Sequence, residues 1–441
     1  MKKISLLLAV VFTLVCACTI LGACQPRFVD YAAELKFNLS SATAKEEVTV
    51  RTHIDGDTVH FNVSKNVSET GILKARFLGV DTPESTGKIE EWGKAASNFT
   101  KQKLANATSI YVESDSSIWE VDSTGDRYLS WIWYKTDDAS DYRLLNLELL
   151  QQGLAKPYGI GGHEYSSYLE KAVQQAEKHE LCVHSKEKDP DFYYGDAIEL
   201  TLEALRLDAM SESSMYSGCL VAVEGVVTYD TDGTVFLQDY NAEQDRYYGI
   251  QVYYGFSGTP ALMSLLGLGN RIRLVGTLQL YEAGGTWQIS GLQASMSPDP
   301  DNKNESIILQ TGSKNDIVYK TLTGSEFLGK VEIVDNDVKK EVVLAELIQG
   351  SCIKMENLVV KSAYSGQNSN GEITITCTSP DGKEISIRTE AMRGPDGNTL
   401  TTDFFQKGMV ITVIGNVDKF VDTYQIKIDV FRKITVVSEA Q

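Results

Sequence analysis

The stretch HIDGDTVHF, residues 53–61, places the carboxylates of Asp55 and Asp57 on either side of one glycine. Apolar residues alternate with polar ones on both sides of this turn, at 48–50 and at 59–63. Alternation with a period of two predicts a β-hairpin. An Asp-Gly pair is sufficient for a hairpin turn, so the second carboxylate, Asp57, needs a further explanation.

A second acidic turn closes the stretch ARFLGVDTPES, residues 75–85. Its β-rich run reaches Asp81, and Thr82, Pro83 and Glu84 follow. Pro83 fixes its own φ and favours extended backbone at Thr82, so the turn presents the Thr82 carbonyl and the Glu84 side chain in defined directions. Carboxylate and carbonyl oxygens are the ligands that calcium prefers, and a carboxylate can take a proton from water.

Two arginines accompany these turns. Arg76 lies on the run that leads to Asp81, and Arg127 opens a later run, RYLSWIWY at 127–134. Guanidinium groups bind phosphoryl oxygens and stabilise negative charge that grows in a transition state. Each residue alone also fits a structural role, because a strand arginine often forms a surface ion pair and Glu84 could be a solvated turn residue. Taken together, the set favours hydrolysis of a phosphodiester.

The order of these motifs resembles that of the staphylococcal nuclease (thermonuclease) family. The resemblance covers about residues 46–184, and its segments are IDGDTV at 54–59, RFLGVDTPE at 76–84, WGKAAS at 92–97, Arg127, and QGLAK at 152–156. It implies a five-stranded OB barrel with three helices.

The resemblance also implies a metal site. Asp57 and Asp81 would bind Ca²⁺ with help from the backbone oxygen of Thr82. Asp55 would then serve the turn or support a ligand through a hydrogen bond. The extra carboxylate of the first turn is thereby explained by a cation.

The catalytic roles are likewise implied by the resemblance. Glu84 would be the general base, and Arg76 and Arg127 would contact the phosphate. Tyr158 would stack on a base of the substrate, with ordinary packing as the alternative. The turn before Arg127 departs from the family pattern, because one residue is inserted and Asp126 replaces a glycine.

These expectations define a nuclease that needs Ca²⁺, cleaves DNA and RNA with low sequence specificity, and leaves 3′-phosphorylated products. The alternative is a non-catalytic nuclease-fold lipoprotein that binds nucleic acid or cell-surface glycan as a scaffold module. The formal net charge of -19 disfavours salt-driven binding over the whole surface, which needs Lys and Arg against phosphates. A bound cation and local arginines would have to attract the nucleic acid. No obligate protein partner is expected.

The N-terminal residues 1–24, MKKISLLLAVVFTLVCACTILGAC, have two lysines before a long apolar run. This pattern is typical of an export signal. The ending LGAC resembles the lipobox of bacterial lipoproteins, which predicts cleavage before Cys24 and a lipid anchor on that cysteine; Cys18 is the alternative. The expected location is extracytoplasmic, at the cell membrane or envelope.

The remainder of the chain divides by pattern into a tether at 25–45, the nuclease-like domain at 46–187, and two β-rich modules at 197–300 and 320–437. The polar stretch SKEKDPDFYYGD, residues 185–196, contains Pro190 and is predicted to be a linker. The modules resemble each other: a valine-rich strand, a Gly-led strand and a Gln-Ile strand recur in the same order, which indicates two copies of one small OB-like barrel. The predicted fold class is therefore mainly β with α, an OB barrel with three helices followed by two small OB-like modules.

The role of the two added modules is less constrained by sequence. OB folds often bind single strands through basic grooves and aromatic residues, but Lys and Arg are few here. A role as spacer, in stability or in contact with the cell envelope is favoured over strand binding.

Overall fold

The computed structural model describes residues 28–211, 214–231, 233–255, 260–282, 284–292, 301–304, 308–309, 315–335, 338–366 and 370–439. The predicted signal sequence and Cys24 lie outside the described residues. No helix in the described ranges is long and apolar enough to span a membrane.

The chain forms two compact units. The first contains the described residues up to His53, then Asp57–Thr82 and Asn98–Glu187; the second contains Ile54–Gly56, Pro83–Ser97 and everything from Lys188 onward. The segment that carries Glu84 thus belongs to the second unit.

The elements up to residue 184 follow the predicted order of strands and helices. They are α1 (Tyr31–Glu34), β1 (Lys45–His53), β2 (Thr58–Asn62), β3 (Ile72–Phe77), β4 (Gly79–Asp81), α2 (Gly93–Ala105), β5 (Ser109–Glu113), β6 (Tyr128–Lys135), β7 (Arg143–Leu144), α3 (Leu145–Gln151), β8 (Lys156–Tyr158), α4 (Ser166–Lys178) and a 3₁₀ turn (Cys182–His184).

The strands of the first unit close into a barrel. The sheet order is β3-β2-β1-β5-β6-β7, and β3 also pairs with β6. That closing pair is parallel and aligns Ala75 with Tyr128. The predicted OB-type barrel is confirmed.

The side chains of strand β3 alternate between buried and partly exposed, as expected for a strand with one face in the core. Leu73, Ala75 and Phe77 are buried in the core, whereas Lys74 and Arg76 are partly exposed on the other face. Because successive side chains of a strand point to opposite faces, the core residues of β3 set the direction of Arg76.

A buried asparagine ties the β3–β4 connection to β6. Asn146, on α3, is fully buried. Its Nδ2 donates to the carbonyls of Leu78 at 2.8 Å and Ser130 at 3.1 Å, and its Oδ1 accepts from the Ile132 N–H at 2.9 Å. Leu78 lies between β3 and β4, so this amide supports the strands that lead to Asp81.

The segment predicted as a tether is packed against the first unit in its described part. Asp30 accepts from Arg143 Nη2 at 2.8 and 3.0 Å, and the Tyr31 N–H donates to Gln151 Oε1 at 2.8 Å. Phe37 stacks on the Trp133 ring with 4.7 Å between ring centroids. The assignment of residues 25–45 as a tether remains a prediction.

The second unit continues with the following elements: β9 (Ile198–Glu199), α5 (Leu202–Ala209), β10 (Leu220–Thr231), β11 (Thr234–Asn241), β12 (Arg246–Tyr253), α6 (Pro260–Leu265), β13 (Arg271–Tyr281), β14 (Thr286–Ser290), β15 (Ile308–Leu309), β16 (Lys320–Thr321), α7 (Gly324–Phe327), β17 (Lys330–Asp335), β18 (Val338–Val343), α8 (Leu344–Leu347), β19 (Cys352–Tyr364), β20 (Thr374–Thr378), β21 (Glu384–Thr389), a 3₁₀ turn (Thr402–Phe404), β22 (Val410–Phe420), β23 (Thr423–Ile428), a 3₁₀ turn (Phe431–Lys433) and β24 (Ile434–Ser438).

Two barrel-like sheets with the same strand order make up most of this unit. The first runs β15-β13-β14-β12-β11-β10-β9 and closes through β13–β10, and the second runs β16-β19-β20-β21-β23-β22-β24 and closes through β19–β22. The two predicted OB-like modules are confirmed as folds; their boundaries remain predictions.

The two sheets share one hydrophobic core, which contains buried side chains from both. Their backbones approach closely at two glycines, because a Cβ on Gly249 would lie 2.3 Å from the Gly350 carbonyl carbon. Buried Asn416 donates to the Thr228 hydroxyl at 2.7 Å. The two modules therefore form one packed body.

The sequence leaves open whether Cys352 and Cys377 pair. Both are buried free thiols in the structure, and burial raises the pKa of each to about 12. They fill the core as small apolar side chains.

Replacement of Asn146 by alanine is expected to lower the free energy of unfolding by about 2–4 kcal/mol, because three backbone groups in or near the core each lose a hydrogen bond. Asn98→Ala, at an exposed position of α2, is the matched control and should change stability by less than about 0.5 kcal/mol. Urea unfolding measures both. Equal stability of the two variants would show that Asn146 is not required.

Asp30 is expected to make stability depend on pH. Burial raises the pKa of this carboxyl, but hydrogen bonds from Arg143 and Gln151 and the Arg143 charge outweigh it, so the pKa is lowered. A lowered pKa stabilises the fold above the unfolded value, about 3.9, and this stabilisation is lost as pH falls through the folded value.

Urea unfolding at pH 7 and at successively lower pH tests this contribution. The stability difference between wild type and Asp30→Asn should shrink as pH falls. The control Asp138→Asn removes a carboxylate whose side chain is fully exposed, and should show little difference at any pH. A pH-independent gap for Asp30→Asn would contradict the assignment.

Candidate active site

Asp57 forms hydrogen bonds with residues at or next to the ends of β2, β3 and β4. It directly precedes β2 and is only 4% exposed. Its Oδ2 accepts from the Thr82 N–H at 2.8 Å, its Oδ1 accepts from the Thr58 hydroxyl at 3.1 Å, and its carbonyl accepts from the Phe77 N–H at 2.9 Å. The residue after the Asp-Gly turn is thus buried and directed at the β4 turn, as a ligand position requires.

Arg76 bridges the two aspartates that the sequence predicts as metal ligands. Its Nη1 forms an ion pair with Asp57 Oδ2, and its Nη2 donates to Asp81 Oδ1 at 2.5 Å. The Arg76 side chain is 15% exposed, whereas that of Asp81 is 54% exposed. Burial lowers the pKa of the guanidinium, but the charge of Asp57 and hydrogen bonds to both carboxylates raise it above its usual value. Arg76 is therefore a fixed cation between two carboxylates.

The predicted ligands fit a hard cation. Because one guanidinium contacts both carboxylates, Asp57 and Asp81 lie side by side, and buried Thr82, the third predicted ligand, directly follows Asp81. Ca²⁺ prefers carboxylate, carbonyl and water oxygens. Among the described residues, no group of three or more His, Cys, Asp and Glu side chains could hold a metal ion. Water or substrate oxygens would have to complete the shell around two carboxylates and a carbonyl.

Arg127 lies one residue before β6, whose Tyr128 pairs with Ala75 of β3. Its Nε and Nη2 both contact Asp122 Oδ2 at 2.7 Å, and its side chain is 38% exposed. Burial raises the pKa of the Asp122 carboxyl, but hydrogen bonds from Thr124 and Arg127 and the charge of Arg127 outweigh it and lower the pKa. The closing pair of the barrel thus brings Arg127 to the strand that carries Arg76.

Asp126, which departs from the family pattern, has its own counter-charge. Its Oδ2 lies 2.6 Å from Lys74 Nζ. Lys74 shares the partly exposed face of β3 with Arg76. The acid next to Arg127 is thus paired with a lysine.

Glu84 lies two residues after Thr82, in the segment assigned to the second unit. Its side chain is exposed, while its backbone is held: its N–H donates to Glu90 Oε2 at 3.2 Å and its carbonyl accepts from the Glu90 N–H at 2.9 Å. A Cβ on Gly93 would lie 2.1 Å from the Glu84 carbonyl oxygen. The glycine of the WGKAAS segment therefore has a local physical reason, since only glycine leaves room for the Glu84 backbone.

Tyr158 lies on β8, which pairs with β4. It is 69% exposed and stands opposite Gly79. Lys156, also exposed, stands opposite Asp81 in the same register. Sequence reasoning did not assign Lys156 to the site, although it ends the QGLAK segment; the pairing of β8 with β4 places its cationic position beside the predicted ligand.

The structure therefore brings Arg76, Asp57, Asp81 and Thr82 into direct contact in the first unit. It places Arg127 directly before β6, the strand that pairs with β3, with Asp122 as its partner. The assignment of these residues to metal binding and catalysis remains a prediction.

Comparison with known proteins agrees with this architecture. The family model described as "Staphylococcal nuclease homologue" matches residues 74–185, a range that begins after Asp57. The chain is similar to the thermonuclease of Staphylococcus intermedius, with 31% identity over 152 residues that cover 33% of this chain and 82% of the relative. It is also similar to the thermonuclease of Staphylococcus hyicus, with 32% identity over 144 residues that cover 32% of this chain and 76% of the relative. With its closed OB barrel and this coverage of its relatives, the chain belongs to the staphylococcal nuclease family.

Proposed function

We propose that this protein is a Ca²⁺-dependent nuclease that hydrolyses phosphodiester bonds of DNA and RNA with low sequence specificity. The observation that carries the proposal is the Arg76 guanidinium held between Asp57 and Asp81 at the ends of β2 and β4. A guanidinium, two carboxylates and a following glutamate provide the groups that this hydrolysis needs. Similarity to proteins named thermonuclease supports the same substrate class.

Asp57, Asp81 and the Thr82 carbonyl would hold the cation. When bound, Ca²⁺ supplies Lewis-acid polarisation of the phosphoryl oxygen and neutralises charge. Asp57 is already directed into this position by the Thr82 N–H and the Thr58 hydroxyl.

The two arginines bind the phosphate. Arg76 presents a planar fork at the same point as the two carboxylates, so a phosphate oxygen can replace a carboxylate oxygen on its nitrogens. Arg127 exchanges Asp122 for a phosphoryl oxygen in the same way. Both then stabilise the charge that grows on the phosphoryl group as water attacks.

Glu84 takes the proton of the attacking water on its side-chain carboxylate. The proposed products carry the phosphate at the 3′ end. Tyr158, exposed on β8, supplies a ring face on which a base can stack.

The proposed place of action is outside the cytoplasm, with the protein held at the membrane by lipid on Cys24. The support is the sequence pattern of residues 1–24. Degradation of extracellular nucleic acid suits that location.

Cleavage of single-stranded DNA by the mature protein should require Ca²⁺ and stop on addition of a chelator. Glu84→Gln should lower kcat by a factor on the order of 100 or more, the usual range for loss of a general base. Glu90→Gln is the matched control, because it alters an acid of the same loop and keeps an oxygen that can accept from the Glu84 N–H.

Two results would count against the proposal in different ways. Wild type that fails to cleave with Ca²⁺ leaves the non-catalytic binding role. Full cleavage by Glu84→Gln shows that another group takes the proton.

Ca²⁺ binding is also expected to stabilise the fold. A cation at about 100 times its Kd adds about 2.7 kcal/mol to the free energy of unfolding. Thermal unfolding with and without Ca²⁺ should show a rise in Tm for wild type that is lost in Asp81→Asn. The control Asp141→Asn changes an exposed carboxylate paired with Lys36 and should keep the rise. The same Ca²⁺ response in wild type and Asp81→Asn would exclude Asp81 as a ligand.

A further inference from the structure

The loop that carries Glu84 is held by residues far beyond the nuclease-like domain. Gln279 Nε2, on β13, donates to the Gly87 carbonyl at 3.0 Å. Ser290, the last residue of β14, directs its hydroxyl to the same carbonyl at 3.4 Å. Gln279 is 9% exposed and Ser290 is fully buried, so both donors lie in the body of the second unit.

The backbone after β14 packs directly on this loop. A Cβ on Gly291 would lie 2.4 Å from the Gly87 carbonyl oxygen and 2.7 Å from the Lys88 Cα. Gly291 also has a φ of +59°, which favours glycine. Only a residue without a side chain permits this approach of two backbones.

The loop is also restrained by the segment just after the nuclease-like domain, which the sequence predicts to be a polar linker. Asp189 is 3% exposed, and its Oδ2 accepts from the Trp92 N–H at 2.6 Å. Its Oδ1 accepts from the Asp191 N–H at 2.9 Å, and its own N–H donates to the Tyr194 hydroxyl at 2.9 Å. Trp92 has a φ of 67°, a conformation that a non-glycine residue rarely keeps without support.

The contacts at Gly87 and at Trp92 lie on either side of Glu90, which is hydrogen-bonded to Glu84. The Glu90 N–H donates to the Glu84 carbonyl, and Gly93 packs on that carbonyl. Constraint at Gly87 and Trp92 therefore limits the backbone of Glu84. An exposed acid on a loop without such support would sample many positions, and a displacement of about 1 Å can cost a factor of 100 in rate.

We propose that the first OB-like barrel of the second unit and the segment after the nuclease-like domain position the general base. Gln279, Gly291 and Asp189 are positioning residues that act through the loop backbone on Glu84. The proposal rests on the proposed nuclease function, and it gives the added barrel a role in the reaction.

Gly291→Ala in the full mature chain is the principal test, with Gly285→Ala as its matched control. Both glycines have positive φ, +59° and +70°, but a Cβ on Gly285 would meet only ordinary contacts, at 3.5 Å from the Val421 carbonyl oxygen. Both variants carry the same backbone strain, and only Gly291→Ala displaces the loop. Gly291→Ala should lower kcat by a factor on the order of 10 to 100 and leave KM for a short oligonucleotide within about twofold.

A second, milder pair of variants tests the same proposal if Gly291→Ala does not fold. Gln279→Met removes the donor to Gly87 at similar size, and Gln288→Met, on the facing position of β14, removes an amide that pairs with Gln251. Gln279→Met should lower kcat, and Gln288→Met should not.

A double-mutant cycle separates positioning of the base from general damage. If these residues act through Glu84, Gly291→Ala should have no further effect on kcat in a Glu84→Gln background. The same loss in both backgrounds, a change confined to KM, or equal kcat in Gly291→Ala and Gly285→Ala would overturn the proposal.

Amide hydrogen exchange measures how firmly the loop backbone is held, independently of enzymatic activity. The amides of Glu90 and Trp92 should exchange faster in Gly291→Ala than in wild type and Gly285→Ala. Unchanged exchange would overturn the proposed hold even if the enzyme is active. Faster exchange in Gly291→Ala, together with a wild type that has no nuclease activity, would instead show that the loop is held but that the proposed function is wrong, which ends the catalytic part of the inference.

Discussion

The site depends on one charged contact, the Arg76 guanidinium between Asp57 and Asp81. Two carboxylates brought close together repel each other, and burial of Asp57 removes its charge from water, which costs free energy. A guanidinium with two hydrogen-bonding edges offsets both costs at once. The barrel can therefore keep two anionic oxygens close together before any ligand binds. Loss of this cation would leave Asp57 buried without its main counter-charge.

The same contact defines how the proposed enzyme meets its ligands. The charges of the site are balanced by pairs within the protein, namely Arg76 with its aspartates, Arg127 with Asp122 and Lys74 with Asp126. Under the proposed function, the carboxylates would hold a metal cation and the arginines a phosphate, so the net charge of the site would be conserved. This internal balance suits a protein whose net charge of -19 gives no general attraction for polyanions.

The two added OB-like sheets are parts of one packed body. They share a core, and glycines permit close backbone contact between them at Gly249 and Gly350. The β13–β14 edge of the same body contacts the loop at Gly87. The two packed modules thus form a larger unit, and Pro83–Ser97, a segment of the nuclease-like motif, groups with it.

Local patterns in the sequence determined the strands, the helices and the chemical character of the turns. The β-rich run that ends at Asp81 predicts a strand carrying Arg76, and Pro83 predicts the extended turn that presents Thr82 and Glu84, because these effects act within a few residues. The tertiary structure alone decided which charges meet. Arg127 pairs with Asp122, and Asp189, predicted to lie in a linker, is buried against Trp92. Such pairings depend on barrel closure and on contacts between segments distant in the chain, and no local periodicity encodes them.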